Sequence, residues 1–180
     1  MKSLIISNAN IILKSKLMIR NLNSSSNEIK NFNTLKIGLT GSIGMGKSSI
    51  SKQFKRLGFP VFDADECVHQ LYSQHGKAVE YIRNILPDVI TDNCVNRTLL
   101  MNKIMNDSTI LTQIESIIHP LVISEREKFY QKSCEDKHFM VIFDIPLLFE
   151  NRANYDVDYI IVATANSEEQ KKRVLNRKGY

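Results

Sequence analysis

Residues 41–48, Gly41-Ser42-Ile43-Gly44-Met45-Gly46-Lys47-Ser48, carry the spacing G-x-x-x-x-G-K-[ST] in full. Glycines at these positions let the backbone curl until its N–H groups converge on phosphate oxygens. A helix opening at Lys47 turns the positive end of its dipole toward the same anion. Lys47 then reaches the outer phosphates of a nucleoside triphosphate, and the Ser48 hydroxyl coordinates the magnesium ion that bridges them. Ser49 completes the candidate ATP-binding stretch 41–49. The other reading, an incidental Gly-rich turn, is weakened by the strand pattern before the loop and the helix pattern after it.

Three carboxylates stand where such a site can use them. Asp144 closes the apolar run Phe139-Met140-Val141-Ile142-Phe143 and reads either as a second metal-side group or as a solvated strand-end residue. Asp63 and Asp65 follow a second short strand, Pro60-Val61-Phe62-Asp63. Strand alternation puts both on one side, at the carboxyl end where open α/β sheets bind ligands. A carboxylate there can take a proton from a substrate hydroxyl, and a helix N-cap is the alternative for Asp65.

The elements that position these groups follow from periodicity. Leu35–Thr40 reads as a strand running into the loop, and Lys47–Leu57 as a helix with Ile50, Phe54 and Leu57 on one face, ended by Gly58. Residues 66–132 read as mostly helical, with Val79, Ile82 and Leu86 on one face, and Ile110, Ile114, Ile117 and Leu121 on another. Pro120 predicts an end or kink near His119. Phe139–Phe143 and Tyr159–Ala163 read as strands buried on both faces, and Asn166–Arg177 as a polar helix. Strands alternating with helices predict an α/β fold: a central parallel sheet flanked by helices, of the P-loop nucleoside triphosphate hydrolase/kinase class, with a helical insertion.

Composition narrows the partners. The net charge is +5, but residues 1–34 hold +4 of it, so residues 35–180 carry only +1 and give no support to nucleic-acid binding. No apolar run approaches the roughly 20 residues of a membrane span. Cys67, Cys94 and Cys134 are far apart, without CxxC or metal-ligand spacing, which fits a reducing, cytoplasmic setting. Residues 1–34, with seven Asn and six Ser, read as a disordered tail, an organelle-targeting extension or the product of a start codon assigned too early.

Several stretches together resemble the dephospho-coenzyme A kinase family: the strand and loop 37–48, Gly58-Phe59-Pro60-Val61-Phe62-Asp63-Ala64-Asp65, Asn96-Arg97 with Asn where that family has Asp, Ile118-His119-Pro120-Leu121, and Ile145-Pro146-Leu147-Leu148-Phe149-Glu150. Gln170, Arg173 and Arg177 resemble the polar helix that leads into its lid. The resemblance covers residues 35–180. It implies transfer of the γ-phosphoryl group of ATP, with Mg2+, to the 3′-hydroxyl of dephospho-coenzyme A. Asp65 is then the catalytic carboxylate beside Lys47. Asp63, His69, Arg97, His119, Pro146, Leu147 and Glu150 are the acceptor side, Arg173 and Arg177 the lid, and Ser48 and Asp144 the metal side.

Bland readings stand beside these: a structural histidine at positions 69 and 119, and a solvated helix face for Arg173. The family continues past Arg177 with the rest of the lid, a Gln-bearing helix and a last strand. The resemblance therefore implies an incomplete lid and weak or absent turnover for a 180-residue chain. The competing functions are another P-loop small-metabolite kinase and a non-catalytic nucleotide-binding remnant.

Overall fold

The computed structural model describes residues 2–7, 34–146 and 156–176. The chain forms two compact units: the first from residues 1–62 and 131–180, the second from residues 63–130.

The first unit is built on a five-stranded sheet of order β1-β7-β2-β6-β3. Its strands are β1 (Lys2–Ser7), β2 (Leu35–Thr40), β3 (Val61–Asp63), β6 (Met140–Asp144) and β7 (Tyr159–Thr164). β2 is central and pairs in parallel with β6 on one side, Leu39 opposite Asp144, and with β7 on the other, Thr40 opposite Val162. Every residue of β6 is buried, the signature of a strand covered on both faces.

Helix α1 (Lys47–Arg56) covers the sheet through Ile50 and Phe54, which join Ile37, Leu39, Met140, Ile142, Ile161 and Ala163 in one apolar cluster. Burying each such side chain stabilises the fold by about 1.5–3 kcal/mol relative to exposure. α1 ends in the paired bonds of a Schellman turn, Gly58 N–H to the Lys55 carbonyl and Phe59 N–H to the Phe54 carbonyl. Gly58 takes φ +82°, and the Phe54 and Phe59 rings meet edge to face at 6.0 Å across the turn.

Lys2–Ser7 correct one expectation. They fall in the stretch read as a disordered or targeting extension, yet they form a strand paired in parallel to β7 along its whole length. The Asn- and Ser-rich composition behind that expectation is concentrated after Ser7, whereas Leu4-Ile5-Ile6 is strand-forming. Thr34, the last residue of that extension, is buried and donates to the His138 carbonyl, while residues 1 and 8–33 lie outside the described residues.

The second unit holds α2 (Ala64–Tyr72), α3 (Val79–Ile85), α4 (Arg97–Asn106), most of α5 (Thr109–Glu135) and a short antiparallel pair, β4 (Ile90–Thr91) with β5 (Cys94–Val95). Two further expectations change here. Asp63 and Asp65 do not share a strand face, because the helix begins at Ala64. The Asp63 side chain caps it, accepting from the N–H groups of Asp65 and Glu66. Pro120 does not end its helix, which runs on to Glu135. Proline removes only the bond to the carbonyl four residues back, and Ile114, Ile118 and Tyr130 are buried on either side of it. The hairpin at 90–95 turns on Asp92 and Asn93, both at positive φ, a conformation these two residues tolerate.

Glu125 of α5 accepts hydrogen bonds from Lys77 and Lys128, which hold its carboxyl below the usual range. Its contribution is present above its unfolded value, near 4.5, and is lost as pH falls through the depressed folded value. Glu125→Gln is therefore expected to flatten the acid limb of stability below about pH 4.5, read as melting temperature against pH. Deleting residues 1–7 exposes the hydrogen-bonding edge of β7. A drop of roughly 2–8 °C in Tm, for a loss of about 1–2 kcal/mol, and faster amide exchange in Tyr159–Thr164 are expected.

Candidate active site

The loop 41–46 leaves the carboxyl end of β2, flanked by the carboxyl ends of β6 and β7. This is where an open parallel sheet offers a crevice. Gly46 is the N-cap of α1, at φ 91°, and no side chain caps the helix. No acidic residue stands in its first turn. Three other helices are capped by side chains, α2 by Asp63, α4 by Asn96 and α6 (Ser167–Leu175) by Asn166, while the short α3 starts at Ala78 without one. Among the described residues, the N–H groups of Gly44, Gly46, Lys47 and Ser48 donate to no protein group. Orphan donors at a helix start, added to the dipole, make an anion site.

Lys47 Nζ lies 2.6 Å from Asp144 Oδ1. The Asp144 side chain is 4% exposed and that of Lys47 17%. Asp144 is therefore a buried partner of the loop lysine, and the reading of a solvated strand end is overturned. The pairing follows from register: Leu39, two residues before the loop, stands opposite Asp144. Without a carboxylate there, an ammonium and the positive end of α1 would share a poorly solvated space. Ser48 contributes a hydroxyl with no protein partner among the described residues. A hydroxyl and a carboxylate beside phosphate oxygens are the hard oxygen donors that magnesium selects, so the residues fit the ion.

The outer wall of the loop rests on α6. Gln170 Nε2 donates to the Ile43 carbonyl at 2.9 Å, and Arg173 Nη1 to the Gly44 carbonyl at 3.4 Å. Arg173 Nε also donates to Glu169 at 2.8 Å. The Ala165 N–H points at Met45 Sδ, 3.1 Å away. A Cβ on Gly44 would stand 2.9 Å from the Val174 side chain and 3.0 Å from the Gln170 carbonyl, so only glycine fits there. Gln170 was legible in the sequence as part of a polar helix, but nothing in its spacing disclosed that it bonds the loop.

The other candidates belong to the second unit. Asp65 and His69 are exposed and four apart on α2, hence on one face. Arg97 is exposed at the start of α4, close enough to Tyr72 to oppose the rise that burial imposes on its hydroxyl. His119 is exposed on α5. In the first unit, Pro146 follows β6 by two residues, while Leu147, Glu150 and Arg177 lie outside the described residues. No group of three or more His, Cys, Asp or Glu side chains among the described residues could hold a metal by itself.

The family model described as dephospho-CoA kinase matches residues 35–180. The chain belongs to the dephospho-CoA kinase family. It is 43% identical to the dephospho-CoA kinase of Jannaschia sp. (strain CCS1) over 141 residues, covering 78% of this chain and 72% of that one. It is 42% identical to the dephospho-CoA kinase of Ruegeria pomeroyi over 144 residues, with 80% and 72% covered. Among solved structures, TT1252 from Thermus thermophilus superposes with a TM-score of 0.68 at 26% identity, over 82% of this chain and 74% of that one. Dephospho-CoA kinase from Campylobacter jejuni shares the fold, with a TM-score of 0.57 at 16% identity over 78% and 93% of the two chains. The α/β fold with a parallel central sheet is shared with both of these solved structures.

If the Lys47–Asp144 pair offsets the positive end of α1, Asp144→Asn lowers stability by roughly 1–3 kcal/mol, between the limits for exposed and buried pairs. Urea unfolding measures the loss, and inorganic pyrophosphate recovers part of it by binding only the folded chain. A variant as stable as wild type would show that the pair contributes nothing.

Proposed function

We propose that this kinase passes the γ-phosphoryl group of ATP to the ribose 3′-hydroxyl of dephospho-coenzyme A, with Lys47 and the loop amides on the donor side and Asp65 on the acceptor side. The observation that carries the donor half is the set of undonated N–H groups at 44, 46, 47 and 48 around a lysine held by one buried carboxylate. A triphosphate supplies the anion that these groups lack, and Lys47 exchanges part of its bond to Asp144 for phosphate oxygens. Ser48 and Asp144 would hold a magnesium ion, which would supply charge neutralisation at the outer phosphates.

In the transfer, the 3′-oxygen forms a bond to the γ-phosphorus while the bond from that phosphorus to the β–γ bridging oxygen breaks, and ADP leaves. Asp65 accepts the hydroxyl proton. Its position supports this role: an exposed carboxylate in the first turn of α2, two residues past the end of β3, with capping left to Asp63. Lys47 and the loop amides stabilise charge moving onto the leaving oxygen. His69, Arg97 and His119, with Asp63, Pro146, Leu147 and Glu150, form the acceptor side in this reading. The exposed Arg97 and the two histidines suit its phosphates and ribose. Arg177 is the lid cation, and Arg173 stands behind the loop.

Single-turnover mixing of the chain with MgATP and dephospho-coenzyme A, followed by mass spectrometry, is expected to show one phosphoryl group added at the 3′ position. Asp65→Asn is expected to slow that step by about 10²–10⁴-fold while MgATP affinity stays within about twofold. ATP binding without acceptor phosphorylation, or an Asp65→Asn variant of unchanged rate, would remove the acceptor half of the proposal.

A further inference from the structure

A trans peptide carries its carbonyl and its N–H on opposite sides. An amide that faces a ligand therefore sends the preceding residue's carbonyl the other way, and a carbonyl pressed against protein needs a donor. Two loop carbonyls meet donors of α6: that of Ile43, whose peptide carries the Gly44 N–H, and that of Gly44, whose peptide N–H on Met45 bonds to the Ser42 carbonyl; the donors are Gln170 and Arg173. These residues are three apart, hence on one helical face. Within α6, Glu169, Gln170, Arg173 and Val174 are the residues that are not fully exposed, and none of the helix is fully buried. The inward face of α6 is thus the face that meets the loop, and its contact is polar and directional.

We infer that Gln170 is a positioning residue for the nucleotide. Its bond to the Ile43 carbonyl fixes the Ile43–Gly44 peptide so that the Gly44 N–H turns inward to the phosphates, with Arg173, braced by Glu169, steadying the next peptide. The inference rests on the donor half of the proposed function and adds to it a residue that touches no substrate. A purely structural role for Gln170 would dock α6 and nothing more. A positioning role lets the bond decide how well the loop receives phosphate.

Three variants of the 180-residue chain separate these roles: Gln170→Ala, which removes the donor, Gln170→Glu, which sets a carboxylate against the Ile43 carbonyl at equal size, and Lys171→Gln on the exposed face. MgATP binding by calorimetry, melting temperature and single-turnover rate at saturating ATP are read for each. Gln170→Ala is expected to weaken MgATP binding by about 5–10-fold, and Gln170→Glu by more, from the loss of one directed hydrogen bond. The saturated rate is expected to change less than about threefold and Lys171→Gln to match wild type. Should Gln170→Glu fail to fold, Gln170→Ala and Arg173→Lys carry the same comparison. Wild-type binding that Lys47→Met abolishes but Gln170→Ala leaves intact overturns the positioning role alone. A Gln170→Ala variant whose weaker binding is fully accounted for by a lower melting temperature overturns it too. A wild-type chain that holds no MgATP overturns both this inference and the donor reading beneath it.

Discussion

Backbone N–H groups turned toward one point repel each other and whatever positive charge stands near them, so a loop of this kind does not hold its shape unaided. In this chain the Lys47 ammonium lies beside such a loop, at the uncapped start of α1. The Asp144 carboxylate is what makes the arrangement tolerable without an anion, and it is buried because β6 delivers it from a strand that is covered along its whole length. A chain that capped α1 with Ser or Asp, as it caps α2, α4 and α6 with Asp or Asn, would gain about 1 kcal/mol of helix stability and fill the space meant for phosphate. Leaving the cap out is a local cost that keeps the helix start open to an anion.

The sheet order serves the same constraint. With β2 in the centre, the loop that follows it has a strand on each side, and each contributes a different support. β6 ends in the charge that balances Lys47. β7 ends at Ala163 and Thr164 and is followed by Ala165 and α6. Ala163 sits so close to Gly41 that a Cβ there would stand 2.8 Å from its side chain. Loop curvature is therefore set from outside as much as by the glycines within it. A parallel neighbour on both sides is what brings both supports to the carboxyl end.

Much of this was legible in the residue pattern, for identifiable reasons. Strands buried on both faces appear as unbroken apolar runs, so β6 and β7 were visible to within a residue, and β2 was visible as the short strand leading into the Gly-rich loop. The helix stop at Gly58 was visible because few residues other than glycine take that backbone angle readily. The candidate site divides in the same way: a lysine and serine at fixed spacing from glycines could be recognised, but the partner that buries Asp144 could not, since 97 residues separate it from Lys47. Local rules also misjudged places where tertiary contacts prevail. Alternation carried Asp65 onto a strand because strand and helix meet between Asp63 and Ala64, and an end at Pro120, one of the two outcomes expected there, did not occur because its buried neighbours cannot be counted from sequence. The strand at Lys2–Ser7 was obscured by the composition that follows it.

Function in this kinase family requires two recognition tasks, and the chain separates them by position. The groups of the proposed donor side, from Gly41 to Ser48 with Asp144, and the face of α6 that braces the loop all come from residues 34–62 and 131–176, which form part of one compact unit. Asp63, Asp65, His69, Arg97 and His119 all come from the other, between the end of β3 and the last third of α5. The loop is braced by bonds with Asp144 of β6, with Ala165 after β7 and with α6, all within the first unit. In the proposed function, acceptor recognition rests on a handful of exposed polar side chains on helices that pack through other residues, Leu71, Leu100 and Ile114. Under that proposal, substitution at Arg97 or His119 changes how the acceptor is recognised and leaves the ATP loop in place, because neither side chain belongs to the buried packing of its helix.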